Sequence, residues 1–73
     1  MAEPYLSVVI PAFNEEVRIQ RTLERIVEFL DTQPYSWEVV VANDGSTDAT
    51  ARLAGEVAAN RDDVTHLSLD HRG

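Results

Sequence analysis

The run Leu6-Ser7-Val8-Val9-Ile10 reads as a β-strand over about residues 5–10, because β-branched and aliphatic side chains suit a pleated backbone. Pro11 is expected to close it. The hydrophobic period then changes. Ile19, Leu23, Ile26, Val27 and Leu30 recur at helical spacing, while Arg18, Arg21, Glu24, Arg25 and Glu28 fill the other face. This predicts an amphipathic helix over about residues 15–31. Asn14 is its expected N-cap, with Glu15 and Glu16 at the positive end of the helix dipole. A loop containing Pro34 follows. Val39-Val40-Val41 does not alternate with polar residues, so a second strand over about residues 37–42 should be buried on both faces. Asn43-Asp44-Gly45-Ser46 is a turn, and Ser46 or Thr47 should cap a second helix over about residues 47–60. Leu53, Ala54, Val57 and Ala58 form that helix's apolar stripe. Gly55 within it costs about 1 kcal/mol relative to alanine. A weaker, more alternating run over residues 64–69 is the third strand.

The order β-α-β-α-β predicts an α/β fold: a Rossmann-like, parallel three-stranded sheet of order 3-2-1 with right-handed crossovers. The C-terminal ends of its strands then share one edge, where α/β folds bind ligands. Both helices fall on one face of the sheet. The other face and the edge of the first strand are left uncovered, which invites pairing with further chain. Residues 1–73 therefore read as a single incomplete domain. Its partner would be a missing C-terminal part or a second copy in a homo-oligomer.

Charge narrows the ligand class. Thirteen acids oppose six bases, all of them arginine, for a net charge of −7. No basic patch suits nucleic acid phosphates. A phosphorylated ligand would need a helix N-terminus or a metal to offset the local negative charge. Cysteine is absent, so disulfides and thiolate-bound metals do not arise. No apolar run approaches the roughly 20 residues that span a bilayer, and the first residues lack the pattern of a secretory signal. The expected location is the cytoplasm, or the cytoplasmic face of a membrane reached through downstream segments or a lipid acceptor.

Two acidic corners carry the candidate chemistry. At "PAFNEE", residues 11–16, Pro11 turns the chain without stranding an N–H, and Ala12 is small enough for a ligand ring to approach the backbone. Phe13 can stack on a base or pack inward. Glu15 can accept from ligand hydroxyls or serve the helix start. At "NDGSTD", residues 43–48, Asp44 can accept from the N–H groups of a nucleobase and Asn43 offers both a donor and an acceptor; an Asx turn would use the same residues. Asp48 reads as an acid of the helix's first turn. Asp62-Asp63 reads as a solvated pair in a polar loop. His66 has no second histidine or cysteine near it. The chain lacks the glycine fingerprint of dinucleotide sites and the lysine of a P-loop.

"SVVIPAFNEE", a helix, and then "EVVVANDGSTDAT" together resemble the start of the GT-A, family-two glycosyltransferases. "NEEVRI", "TLERIVEFL" and "WEVVVANDGS" are similar to the branch that charges a polyprenyl or dolichyl phosphate with a sugar. The resemblance implies that Pro11, Ala12, Phe13 and Glu15 line the nucleotide, while Asp44 with Asn43 holds the base of a UDP- or GDP-sugar. The family usually has two aspartates at the Asn43-Asp44 positions. "HRG" at residues 71–73 resembles the opening of a further family segment, with histidine in place of asparagine. The resemblance places the Mg or Mn site and the catalytic base in later motifs, so it implies no catalytic residue within these 73 residues. Two other readings use the same pattern. One is a non-catalytic, oligomerising α/β module. The other is a flavodoxin-like or receiver-type domain, which shares the β-α-β-α-β opening but places an acidic pair where this chain has Pro11.

Overall fold

The computed structural model describes residues 5–69. Strand β1 (Leu6–Ala12), helix α1 (Ile19–Leu30), strand β2 (Trp37–Asp44), helix α2 (Thr50–Ala59) and strand β3 (Val64–Leu69) follow one another. The strands form one parallel sheet in the order β1-β2-β3, the expected order read from its other edge.

Burial along the strands shows which face is covered. On β1, Leu6, Val8, Ile10 and Ala12 turn inward and Ser7, Val9 and Pro11 are exposed. On β2, Val39, Val41 and Asn43 are buried while Val40, Ala42 and Asp44 are only half-buried. The inward set packs with Ile19, Leu23, Val27 and Leu30 of α1 and Ala54 of α2 in one core. Both helices thus lie on one face. The other carries Val9, Leu67 and Leu69, which are 62%, 48% and 45% exposed. The sequence pattern suggested burial on both faces of β2. The structure covers only one, so Val40 stays partly accessible beside its register partner Val9.

Four local features differ from the sequence reading. Strand β2 runs on to Asp44, so Asn43 and Asp44 end a strand instead of opening the turn. Strand β1 does not end at Pro11 but pairs on through Pro11↔Ala42 and Ala12↔Asn43. An edge strand tolerates proline, since the missing N–H can fall on its unpaired side. Helix α1 starts at Ile19, not at residue 15, and Asn14 is not its cap. Asn14 has φ of 51°, a left-handed conformation that cannot propagate a right-handed helix. A turn follows in which the Arg18 and Ile19 N–H groups donate to the Glu15 carbonyl at 2.9 and 2.7 Å. Helix α2 starts at Thr50, not at residue 47. Ser46 and Thr47 do not cap it, because they bond to the first corner instead.

At the opposite end of the sheet, Arg61 ties the layers together. Its guanidinium reaches Asp63 at 2.8 and 3.1 Å and Asp31, just beyond α1, at 3.0 Å. It also lies 5.7 Å from the centroid of the Trp37 ring. The hydrogen bond from Arg61 is the main reason the Asp63 carboxyl is held below the usual carboxylate range. Asp63 is therefore an ion-pair partner, not a merely solvated loop acid. Among the described residues, no helix is long and apolar enough to cross a membrane.

Candidate functional site

The two acidic corners meet. Ala12 and Asn43 are register partners in the sheet, so the chain leaves β1 and β2 side by side, and the loops that follow are sewn together. The Asn14 N–H donates to the Ser46 hydroxyl at 2.9 Å, and that hydroxyl donates to Asn43 Oδ1. Asn14 Oδ1 in turn accepts the Thr47 N–H at 2.8 Å. The Glu15 N–H donates to Thr50 Oγ1 at 2.7 Å, and the Glu16 N–H donates to Asp48 Oδ2 at 3.3 Å. Three successive backbone donors of the first corner are thereby satisfied by side chains of the second. Backbone N–H groups that no helix or ladder uses require such partners.

This bracing sorts the candidate residues by role. Ala12 and Asn43 are each 3% exposed. Ala12 belongs to the core, and the Asn43 side chain supports the turn beneath it. Pro11 is exposed on the rim, Phe13 is 45% exposed, and Asp44 and Glu15 are half-buried. Asn43 and Asp44, adjacent in sequence, turn to opposite faces of the sheet because strand side chains alternate. A groove of about 260 Å³ runs beside the β1 edge, lined by Ile10, Pro11, Glu15, Arg18, Ile19 and Thr22. It contains two of the sequence candidates, Pro11 and Glu15. Arg18 also lines it and pairs with the Glu15 carboxylate. Phe13, Asn43 and Asp44 do not line this groove. Gly45 takes φ of 66°, the left-handed region that glycine enters at no steric cost, and it lets the chain reverse directly after Asp44.

Sequence reasoning missed Asn14, Ser46, Asp48 and Thr50 as parts of one assembly. Asp48 precedes α2 by two residues, and its Oδ1 accepts the Thr50 N–H at 2.9 Å as well as the Thr50 hydroxyl. Burial alone would raise its pKa. The Thr50 hydroxyl, the Thr50 N–H and the Glu16 N–H outweigh burial and lower it below the ordinary value. The signal was a helix that could not begin where its first acids stood.

Among the described residues, no three histidine, aspartate or glutamate side chains converge as a ligand set. His66 Nε2 is buried without a hydrogen-bond partner among them. Among the described residues, these side chains brace and line a site.

Residues 7–73 match the family described as Glycosyl transferase family 2. The chain belongs to this family. Residues 71–73 of the matched stretch, "HRG", lie outside the described residues. A dolichyl-phosphate beta-glucosyltransferase of Trichomonas vaginalis is 39% identical over 72 residues, covering 92% of this chain and 22% of that protein. A bactoprenol glucosyl transferase of Shigella phage SfV is 40% identical over 64 residues, covering 88% of this chain and 21% of that protein. Among solved structures, a mannosyltransferase from Pyrobaculum calidifontis in complex with GDP-Man and Mn2+ superposes with a TM-score of 0.75 and 30% identity. The match covers 99% of this chain and 21% of that one. The three parallel strands and two helices are therefore the opening part of a GT-A glycosyltransferase fold. The chain spans about a fifth of the length of the relatives it matches.

Proposed function

We propose that the two corners form one wall of the nucleotide site of a glycosyltransferase using a UDP- or GDP-sugar. In this reading Pro11, Phe13 and Glu15 line the nucleotide from the first corner. Asp44 accepts the N–H groups of the base from the second. Asn43 and Ala12 act from beneath, one holding the turn and the other keeping β1 close to β2. Uracil and guanine both present ring N–H donors, which a carboxylate can accept. Arg18, in the same groove as Glu15, contributes a cation toward a diphosphate in an otherwise acidic chain.

The observation that carries the reading is the pairing of Ala12 with Asn43, which brings both corners to one end of the sheet. It is supported by the GDP-Man bound to the similar mannosyltransferase. The acceptor we propose is a polyprenyl phosphate, as the names of the dolichyl-phosphate and bactoprenol relatives suggest. Such an acceptor implies work at a membrane surface, on its cytoplasmic side. A Mg2+ or Mn2+ ion would neutralise the leaving diphosphate, held by residues outside those described here. Calorimetric titration of the full chain with UDP and with GDP, each with Mn2+, tests the reading. Saturable binding of one of them is expected, and binding of neither refutes it.

The open sheet face supports a second reading, a non-catalytic module that associates through Val9, Leu67 and Leu69. Saturable binding of a nucleotide decides against it, whatever the state of association.

A further inference from the structure

We propose that Thr50 and Asp48 are positioning residues for the nucleotide, forming a hydroxyl–carboxylate relay that fixes the first corner from behind; this rests on the nucleotide reading above. Thr50 is fully buried, with 0% exposure. Its Oγ1 accepts the Glu15 N–H at 2.7 Å and donates its single proton to Asp48 Oδ1. The direction of the relay follows from the chemistry of its members. An ionised carboxylate only accepts, so it takes the hydroxyl proton, and the oxygen lone pairs of Thr50 are left for Glu15.

The same carboxylate acts twice on the first corner. Oδ1 holds Glu15 through Thr50, while Oδ2 accepts the Glu16 N–H directly at 3.3 Å. Two consecutive peptide units are thus set by one acid 32 residues away from Glu16. Neither Thr50 nor Asp48 lines the groove, whereas Glu15 and Arg18 do. The relay therefore acts on a ligand through the backbone of Glu15. Rigid supporting contacts of this kind decide whether a binding group is held in productive geometry. The hydrogen bonds to Asp48 also lower its pKa below the ordinary value, against the opposing effect of burial.

Valine matches threonine in shape but can neither accept from Glu15 nor donate to Asp48. Serine keeps both functions. Asparagine at position 48 keeps one acceptor but turns an amide N–H₂ toward the Glu16 N–H or the Thr50 hydroxyl. The test uses the full chain, titrated with UDP and GDP in the presence of Mn2+, together with thermal melts and amide exchange at Glu15. Thr50→Val and Asp48→Asn should each weaken nucleotide binding about tenfold, the equivalent of about 1.4 kcal/mol. Thr50→Ser should bind within about twofold of wild type, a loss of under about 0.5 kcal/mol on the same scale. The Glu15 amide should exchange faster in Thr50→Val and slowly again in Thr50→Ser. Wild-type affinity in a folded Thr50→Val variant overturns the relay. If that variant does not fold, wild-type affinity in Asp48→Asn overturns it instead. A wild-type protein that binds neither nucleotide overturns the nucleotide reading, and the positioning role with it, a result distinct from unchanged affinity in the variants.

Discussion

Asn14 holds a left-handed backbone conformation, and from there its side-chain Oδ1 accepts the Thr47 N–H at 2.8 Å, 33 residues along the chain. One residue thus supplies both the bend within the first corner and the bracket that fixes it to the second. The two roles separate by substitution. Asn14→Gly keeps the bend and loses the bracket, Asn14→Asp keeps the acceptor, and Asn14→Ala loses the bracket and strains the backbone. The left-handed penalty for a side chain is about 1–2 kcal/mol, and a hydrogen bond contributes about 1 kcal/mol net. Urea denaturation should rank the variants as wild type, then Asp, then Gly, then Ala. The alanine variant should lose about 2–3 kcal/mol, the sum of those two terms.

Arg61 predicts an acid-sensitive contact at the far end of the sheet. Its guanidinium holds the Asp63 carboxyl below its ordinary pKa. A lowered folded-state value favours the folded state above the ordinary carboxylate value, near pH 4. That contribution is lost as pH falls through the lower folded-state value. The groups are partly exposed, so Arg61→Ala should cost only about 1 kcal/mol at neutral pH. The variant should also lose less stability than wild type between neutral and strongly acidic pH. Denaturation midpoints collected across that range check both points.

Gly55 offers the opposite sign. A Cβ built there meets nothing within 4 Å, so the glycine inside α2 serves no close approach. Gly55→Ala should raise stability by about 0.5–1 kcal/mol, through helix propensity and a less flexible unfolded chain. A shift of the thermal midpoint upward, with nucleotide affinity unchanged, is the expected result.

The open face of the sheet predicts self-association of residues 1–73 on their own. Val9, Leu67 and Leu69 remain largely accessible, and exposed apolar patches on an unprotected edge promote pairing between chains. Light scattering should show mass rising with concentration. Val9→Lys combined with Leu67→Glu should shift the chain toward monomer, without disturbing the core on the helix side.

The element order, the parallel sheet and the single covered face were legible because each rests on periodicity. Leu23 and Val27 share a helical stripe, and Val39 and Val41 share a strand face. The meeting of the corners was also legible, since a parallel sheet places successive strand ends together. What the sequence did not reveal was how the corners are held. Asn14 and Ser46 look like local caps and Asp48 like a first-turn helix acid, because these side chains commonly bond to nearby backbone. Their actual partners lie more than 30 residues away in three of the bonds, and no local pattern encodes that. The left-handed turn at Asn14 likewise moved the start of α1, although Glu15 and Glu16 suit a helix N-terminus.

The most direct test of the shared nucleotide site is the affinity of Asp44→Ala for UDP and GDP, measured by calorimetry on the full chain. The account predicts that affinity for the preferred nucleotide falls about tenfold or more, about 1.4 kcal/mol per tenfold, in a variant whose cooperative melt shows it folded. Unchanged affinity in a folded Asp44→Ala protein would contradict it.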